Sequence, residues 1–531
     1  MPSVIINEID RTLYNATTNT SDNIVYVPGI AVTGPNEPTL IRSYSAFLDT
    51  FGANPTTSEL TGNSWEYAAN LLAMGFPVLY HRITTYTGGT VADTAKATIS
   101  LTTSEVIEGE TVTTVTPELE IAYQYAGTYG NTFSVVFTLT GGSGVAGTLK
   151  YTVTQTIGDT TVNVEKDVLI CNIPDTITTD AQLFELIATE IVKVKSDYVK
   201  FNLLQPVATF ALPTGWATTY NLVGGTNGDE DAIATALATD STLTENLKDK
   251  DLYDIKFITS GGATSTSGSA LYTNLVSIAE TRANCLAVLD APSSGIDLTT
   301  TTVQDFFSNI ISSYATAIYP WVNFVLKTPG TKLMPPSFVF LFELAKSVGI
   351  GNPIWMPPAG VNRGLVPECV STTLMVTSKV AETWDTAYPH INPIRMIRNY
   401  GYAIYGQKTL YKLSDGTKKS AFEDLNVRIT ANEIKRVLEY ISVNLTFEGN
   451  NYNTWLEFYN QLDPYLSSLT ANGALERYSI LMDESTTTSD DVDNNIVRGV
   501  VKVMITRVAE EFSIDFIVTN NTADFTESFN S

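Results

Sequence analysis

The sequence predicts a multidomain chain of mixed class: a central α/β domain interrupted by a β-rich insert, a C-terminal α+β domain, and extended β arms at both ends. Three observations predict it. Short, continuous apolar strands alternate with helices on either side of a Thr-, Val- and Gly-rich block. That block itself alternates apolar and polar residues with period two, and the last third carries two long amphipathic helices. At 531 residues the chain has room for three or four cores of about 150 residues each.

The elements follow in order. Residues 1–22 form a polar, Asn/Thr-rich arm with one β-prone run carrying Val4, Ile5, Ile6 and Ile9. Such an arm buries too little apolar surface to fold alone, so it is either frayed or bound elsewhere. From 23 to 87 the expected elements are a strand over Ile24–Val32 broken at Pro28-Gly29, a Gly34-Pro35 turn, a helix around Tyr44–Phe51 ending at Gly52, a helix over Trp65–Met74 and a strand at Val78-Leu79-Tyr80. Residues 88–224 read as the inserted β-rich domain. Leu149, Tyr151 and Val153 share one strand face, Gly158-Asp159 makes a hairpin turn, and one helix carries Leu183, Phe184, Ile187, Ile191 and Val194.

The α/β rhythm resumes over 225–400. The expected order is a strand at Ile255–Ile258, Gly261-Gly262, a helix through Tyr272–Ala279, a strand at Cys285–Leu289, a helix at Phe306–Ile311, a strand at Ala317–Val325 and a helix at Phe338–Val348. Continuous apolar strands of this kind belong to a sheet covered on both faces. The C-terminal domain is expected over 401–508. Thr430-Ala431-Asn432-Glu433 has the form of a capping box opening a helix with Ile434, Val437, Leu438, Ile441 and Leu445 on one stripe. A second helix lines up Trp455, Leu456, Tyr459, Leu462, Leu466 and Leu469, with Pro464 expected to kink it. Two alternating runs follow, Val501–Val508 and Phe512–Val518. In the second, which lies in the C-terminal arm at 509–531, Phe512, Ile514, Phe516 and Val518 line one face.

Composition narrows function. With 31 Lys+Arg against 56 Asp+Glu the formal charge is −25, which disfavours nucleic acid or anionic lipid as a partner. Three cysteines, Cys171, Cys285 and Cys369, lie far apart in no metal-binding spacing and read as free buried thiols from a reducing cytosol. The opening Met1–Glu8 has no basic stretch before its first charge, which argues against a signal peptide, and no apolar run reaches the roughly 18–20 residues of a membrane span.

Chemistry is sparse. The two histidines, His81 and His390, sit in no metal or catalytic motif, and neither a phosphate-binding GxxxxGK nor a GxSxG elbow occurs. Asp290 ends an apolar strand, where an α/β enzyme would place a carboxylate, but without a base or a second acid it reads as a cap. The run Asp490-Asp491-Val492-Asp493 lacks the Gly and Glu of a calcium loop and reads as a solvated loop. No cofactor or metal is expected, and an enzyme is disfavoured.

Several strings, in order along the chain, resemble contractile phage tail sheath proteins. They are Val27-Pro28-Gly29 with Gly34-Pro35-Asn36-Glu37-Pro38-Thr39-Leu40, Ala126-Gly127-Thr128-Tyr129-Gly130-Asn131 and Leu222-Val223-Gly224-Gly225-Thr226-Asn227-Gly228. Further on come Tyr319-Pro320-Trp321-Val322, Met334-Pro335-Pro336-Ser337, Trp355-Met356-Pro357-Pro358-Ala359-Gly360, Asn392-Pro393-Ile394-Arg395, Tyr405-Gly406-Gln407-Lys408-Thr409, Asn426-Val427-Arg428 and Phe447-Glu448-Gly449-Asn450. Two positions depart from the family pattern: Ile429 where a second Arg is frequent, and Gly449 where Pro is common.

The resemblance implies a structural protein that stacks as six-membered rings in a helical array around a tail tube. The array shortens to drive the tube through a cell envelope. It implies partners in further copies of the chain, the tube protein, and baseplate and terminator proteins at the ends, with no nucleic acid and no membrane insertion, in a virion tail assembled in a bacterial cytoplasm. The arms, through Val4, Ile5, Ile6, Ile9, Phe512, Ile514, Phe516 and Val518, would join a sheet on a neighbouring copy. The C-terminal helices, with Glu433, Lys435, Arg436, Glu439 and Glu457, would face the tube, and the insert would face outward. The same features fit a tailocin or an extracellular contractile injection system. A surface-layer or adhesin protein is a weaker reading of the Thr-rich block.

Overall fold

The computed structural model describes residues 22–53, 63–84, 94–107, 110–142, 144–204, 219–226, 230–265, 269–293, 300–327, 330–413 and 419–508. The chain divides into two compact units, Met1–Lys435 and Arg436–Ser531. The first unit opens with β1 (Val25–Gly29), β2 (Thr39–Ile41), α1 (Tyr44–Phe51), α2 (Ser64–Ala73) and β3 (Val78–Arg82). Local sequence sets α1 at both ends: the Ser43 hydroxyl accepts from the Ala46 N–H, and Gly52 follows at φ 79°, a region open to glycine.

The insert contributes β4 (Thr94–Ile107), β5 (Glu110–Ala126), β6 (Phe133–Gly142), β7 (Val145–Ile157), β8 (Thr160–Ile173), α3 (Asp180–Ile191), β9 (Val199–Leu203) and β10 (Thr219–Asn221). They form two sheets, in the orders β10-β6-β7-β8 and β4-β5-β9. A separate core lies within the insert, where Leu149, Tyr151 and Val153 from β7 meet Leu183, Ile187 and Ile191 from α3. This is the outcome the period-two and helical spacings predict.

The chain then returns to the main layer through α4 (Glu230–Thr239), α5 (Ser241–Lys248), β11 (Phe257–Ile258), α6 (Ser269–Arg282), β12 (Leu286–Asp290), α7 (Thr300–Phe306) and β13 (Ala315–Tyr319). It continues with β14 (Val322–Val325), β15 (Thr331–Met334), α8 (Pro336–Gly349), α9 (Gly360–Arg363), β16 (Cys369–Thr372), α10 (Ser378–Thr386), β17 (Asn392–Ile397) and β18 (Gly401–Ile404). Eight strands form one sheet in the order β18-β17-β13-β12-β11-β1-β3-β2. The six inner strands are parallel, and β18 and β2 run antiparallel at the edges. Alternate strand residues feed two cores: Tyr26, Ile258 and Leu289 face one, and Val25, Val27 and Val288 the other. The sheet is therefore covered on both faces, and its strands are apolar throughout for that reason.

Near Lys435 the helix α11 (Leu425–Leu445) carries the chain from the first unit into the second. The second unit adds α12 (Tyr452–Ala471), β19 (Leu475–Leu481), α13 (Ser489–Asp493) and β20 (Val500–Ile505), with β19 and β20 antiparallel.

Six expectations need correction. The helix expected at Phe306–Ile311 is α7, which ends at Phe306; the next residues form tight turns in which Phe307 donates to Gln304 O and Ile310 to Phe307 O. The strand expected over Ala317–Val325 is two strands in different sheets, parted at Pro320, which has no N–H for a ladder. Thr430 opens no helix: it lies within α11, and its hydroxyl donates to Asn426 O at 2.7 Å. The capping box of this region is Ser420 with Glu423, on the short 3-10 turn just upstream. A start at 401 for the C-terminal domain cuts the large sheet, because β18 pairs with β17 and the first unit runs on to Lys435. On α12, Leu456 and Tyr459 are exposed while Trp455, Leu462, Leu466 and Leu469 are buried, so the apolar stripe is wider than the core it meets. The acidic run at 490–493 is not a loop but α13, capped by Thr488.

Candidate functional site

The apolar strands end at two places where chemistry could sit. The order in which the chain adds strands reverses at β1, which lies between β3 and β11, and open α/β sheets bind ligands outside such a switch point. Here the crevice is filled by protein. A Cβ on Gly261 would lie 2.0 Å from Pro28 O, and one on Gly262 would lie 3.2 Å from the Pro335 ring. Asp290, at the end of β12, is fully buried. It accepts from the Ser337 N–H at 2.7 Å and the Ser337 hydroxyl at 2.5 Å, and that hydroxyl in turn accepts from Tyr67 at 3.1 Å. Burial raises its carboxyl to about 7 against the pull of the Ser337 donors. It is the cap that sequence alone favours, tying β12 to the first turn of α8.

His81 is buried and in hydrogen-bond contact with the Tyr26 hydroxyl at 2.9 Å; burial lowers its imidazole to about 4, so it is neutral at pH 7. Asp491 accepts from Arg498 Nε at 2.8 Å with one oxygen and from the Thr488 hydroxyl and N–H with the other. The Arg498 contact, then those of Thr488, lower its carboxyl to about 2. Among the described residues no group of three or more His, Cys, Asp or Glu is placed to hold a metal ion.

The polar side chains that organise the molecule lie instead at the neck of the insert. Buried Arg82, at the end of β3, donates to Ala31 O at 3.0 Å and Gly34 O at 2.8 Å on the sheet side, and to Ala126 O on the insert side. Burial lowers its guanidinium to about 10, which leaves it charged at neutral pH. Asn131 and Gly225 exchange a reciprocal pair, Nδ2 to Gly225 O at 2.9 Å and Gly225 N to Oδ1 at 2.8 Å. The backbone must pass close here: a Cβ on Gly127, which has φ 130°, would lie 2.2 Å from Val32 O, and one on Gly225 2.3 Å from Gly127 O. Two of the strings that carry the family resemblance thus meet in space. Arg82 belongs to neither, and no spacing in the sequence marks it.

The expected tube-facing residues fall into two groups. Glu433 accepts from Lys256 Nζ at 2.9 Å, and the same ammonium reaches Asn23 Oδ1 at 3.0 Å, beside the root of the N-terminal arm. Lys435 donates to the Tyr314 hydroxyl at 2.7 Å and to Ala283 O at 3.4 Å. These two pin α11 to the first unit. Arg436 and Glu439 are half-buried on α11, and Glu457 is exposed on α12, where it accepts from Gln461 at 3.3 Å. Among the described residues β19 pairs only with β20, and β20 leads directly into residues 509–531. The arm residues Val4, Ile5, Ile6, Ile9, Phe512, Ile514, Phe516 and Val518 lie outside the described residues.

No family model matches the chain. The tail sheath protein of Enterobacteria phage T4 is 24% identical over 333 residues, 59% of this chain and 49% of that one. The crystal structure of the sheath tail protein from Listeria innocua superposes with a TM-score of 0.52 at 15% identity, over 91% of this chain and 95% of that one. This chain is similar to tail sheath proteins. The sheath tail protein from Desulfitobacterium hafniense agrees in fold over 95% of this chain and all of its own, with a TM-score of 0.51 at 14% identity. The likeness to sheath structures therefore extends through the insert and the C-terminal unit, while the chain spans about half the length of the T4 sheath protein.

Proposed function

We propose that this chain is the structural, non-catalytic subunit of a contractile tail sheath, stacking as six-membered rings in a helical array around a tail tube and shortening from a metastable extended state. The observation that carries the reading is the likeness in fold to two sheath tail proteins over more than nine-tenths of the chain, joined to the sequence likeness to a phage sheath protein.

The energy of such a machine is stored at assembly, so it needs interfaces rather than a nucleotide site. Two features support the mesh. The two-stranded β19–β20 sheet, continuous with the C-terminal arm, suits strand addition by the arms of neighbouring copies. A head-to-tail exchange of this kind does not close on itself and so builds open helices. The fastened neck supports an insert carried outward as part of the first unit. The exposed side of α12 around Glu457 remains the candidate tube contact, together with Arg436 and Glu439 on α11.

Negative-stain microscopy of the purified protein tests the reading: hollow, ribbed tubes are expected, and a protein that stays monomeric at high concentration overturns it. Removal of residues 1–20 and 512–531 tests the arms, since normal long cylinders from the shortened chain would overturn strand exchange.

A further inference from the structure

A cavity of about 170 Å³ lies on the first unit beside the end of α8. Glu343 and Lys346 from α8, Arg363 at the end of α9, and the apolar side chains of Ile350, Leu365 and Pro367 wall it. The charged groups on this wall are unevenly matched. One ammonium serves two carboxyls: Lys346 Nζ donates to both oxygens of Glu368, at 3.1 and 3.4 Å, and lies 3.5 Å from Glu343 Oε2. The other oxygen of that carboxyl, Glu343 Oε1, is buried with no hydrogen-bond partner among the described residues, and the same is true of Arg363 Nε.

The arrangement fixes what each orphan offers. The Glu343 side chain is 3% exposed. Burial, helped by the neighbouring Glu368 carboxylate, outweighs the pull of Lys346 and raises its carboxyl to about 8, so it is protonated at neutral pH. Oε2 faces the ammonium, which leaves the proton on Oε1 and makes that oxygen a donor. Arg363 Nε is a donor in every state. The wall therefore presents two buried donors with no acceptor in the fold, an arrangement that is costly to leave unmatched. Its charge is also unbalanced: Lys346 offsets Glu368, Glu343 is neutral, and the Arg363 guanidinium is left over.

We propose that this cavity binds a carboxylate on a short aliphatic stem, its two oxygens accepting from Arg363 Nε and Glu343 Oε1 and its stem lying against Ile350, Leu365 and Pro367. A carboxylate brings two acceptor oxygens and one negative charge, which match the two donors and the one unbalanced cation. Phosphate brings more charge and more oxygens than the wall can meet, and nothing for its apolar side. The volume falls below that of sites for drug-sized ligands, so the guest has few heavy atoms. Two sources share this chemistry: a free short-chain acid, and an Asp or Glu side chain of a second copy, of which each chain carries 56.

Propionate is the probe, titrated into the full-length protein at constant ionic strength, with saturation transfer to its methyl protons as the readout. Binding is expected at pH 7 and should weaken by about tenfold at pH 9, because ionisation of Glu343 above about 8 turns its donor into a repelling charge. Glu343→Gln keeps a donor there and should bind equally at both pH values. Arg363→Met should weaken binding by about tenfold or more at both. The sources separate in polymerisation. If a neighbour's side chain fills the cavity, propionate and Arg363→Met each raise the critical concentration; if a free acid fills it, neither does. No transfer to propionate at pH 7, wild-type binding that is equal at pH 7 and pH 9, Arg363→Met binding as tightly as wild type, or displacement of propionate by equimolar inorganic phosphate overturns the carboxylate site. The binding measurements need no polymer, so protein that never polymerises overturns the sheath reading while the site stands or falls on propionate alone.

Discussion

Asp290→Asn isolates the one fully buried carboxylate of the large sheet. The carboxyl has an ordinary value of 3.8 and is raised to about 7 in the folded chain, chiefly by burial. Between those values the folded protein holds a proton that the unfolded chain has released. The stability this proton supplies is complete below pH 3.8 and is lost as pH rises towards 7. The gap between 3.8 and about 7, at 1.36 kcal/mol per pH unit, amounts to about 4 kcal/mol. Asparagine has nearly the same shape, keeps an acceptor for the Ser337 N–H and does not ionise. Its altered bond to the Ser337 hydroxyl is a cost independent of pH. The difference in unfolding free energy, variant minus wild type, should therefore climb by about 4 kcal/mol between pH 4 and pH 7.5 and then level off. Glu343, raised to about 8 by burial, titrates in both proteins and cancels in that difference. Urea unfolding followed by tryptophan fluorescence at a series of pH values measures it. A difference that is flat with pH, or falls as pH rises, refutes the reasoning.

Three further outcomes follow from named contacts. Arg82→Ala strips donors from three carbonyls at the neck and should destabilise the first unit by about 3 kcal/mol, at roughly 1 kcal/mol or more per orphaned group. Hydrogen exchange should then quicken first around Ala126–Asn131; unchanged exchange there argues against a fastening role. Glu433→Gln removes the carboxylate that accepts from the buried Lys256 ammonium and should cost about 3 kcal/mol, whereas Lys256→Met with Glu433→Leu should cost less, read by thermal unfolding. Finally, if the net charge of −25 contributes complementary charge at assembly contacts, polymerisation at low and high ionic strength should differ; equal polymerisation in both speaks against that role.

Much of this architecture was legible in the residues. The Ser43 cap and Gly52 stop bound α1 because both signals act within one turn. The alternation of Leu149, Tyr151 and Val153 appears as burial because each face of a strand meets one environment. Misreadings arose where a local pattern competed with packing. Thr430 to Glu433 has capping-box chemistry, yet Leu425 and Ile429 are buried in the main core, and that burial draws the helix start upstream. Ile429, a departure from the family pattern, is buried there as well, while Arg428 before it lies 4.0 Å from the rings of both Tyr314 and Phe422. The expected tube-facing set mixed solvent-side residues with Glu433 and Lys435, because helical periodicity does not reveal that distant Lys256 and Tyr314 meet them. The neck could be located but not understood: Asn131 and Gly225 lie in recognisable strings 94 residues apart, and only the folded chain joins them.

The hydrogen-bond ladder of the large sheet takes no strand from the described residues of 94–222. Its rows pass from β3 through β1 to β11 as though those residues were never there, and a handful of fasteners at the neck hold the intervening piece in place. Such a piece is a cassette. Because none of the described ladder bonds of the sheet runs through it, a change in its length or decoration leaves the register of the sheet untouched.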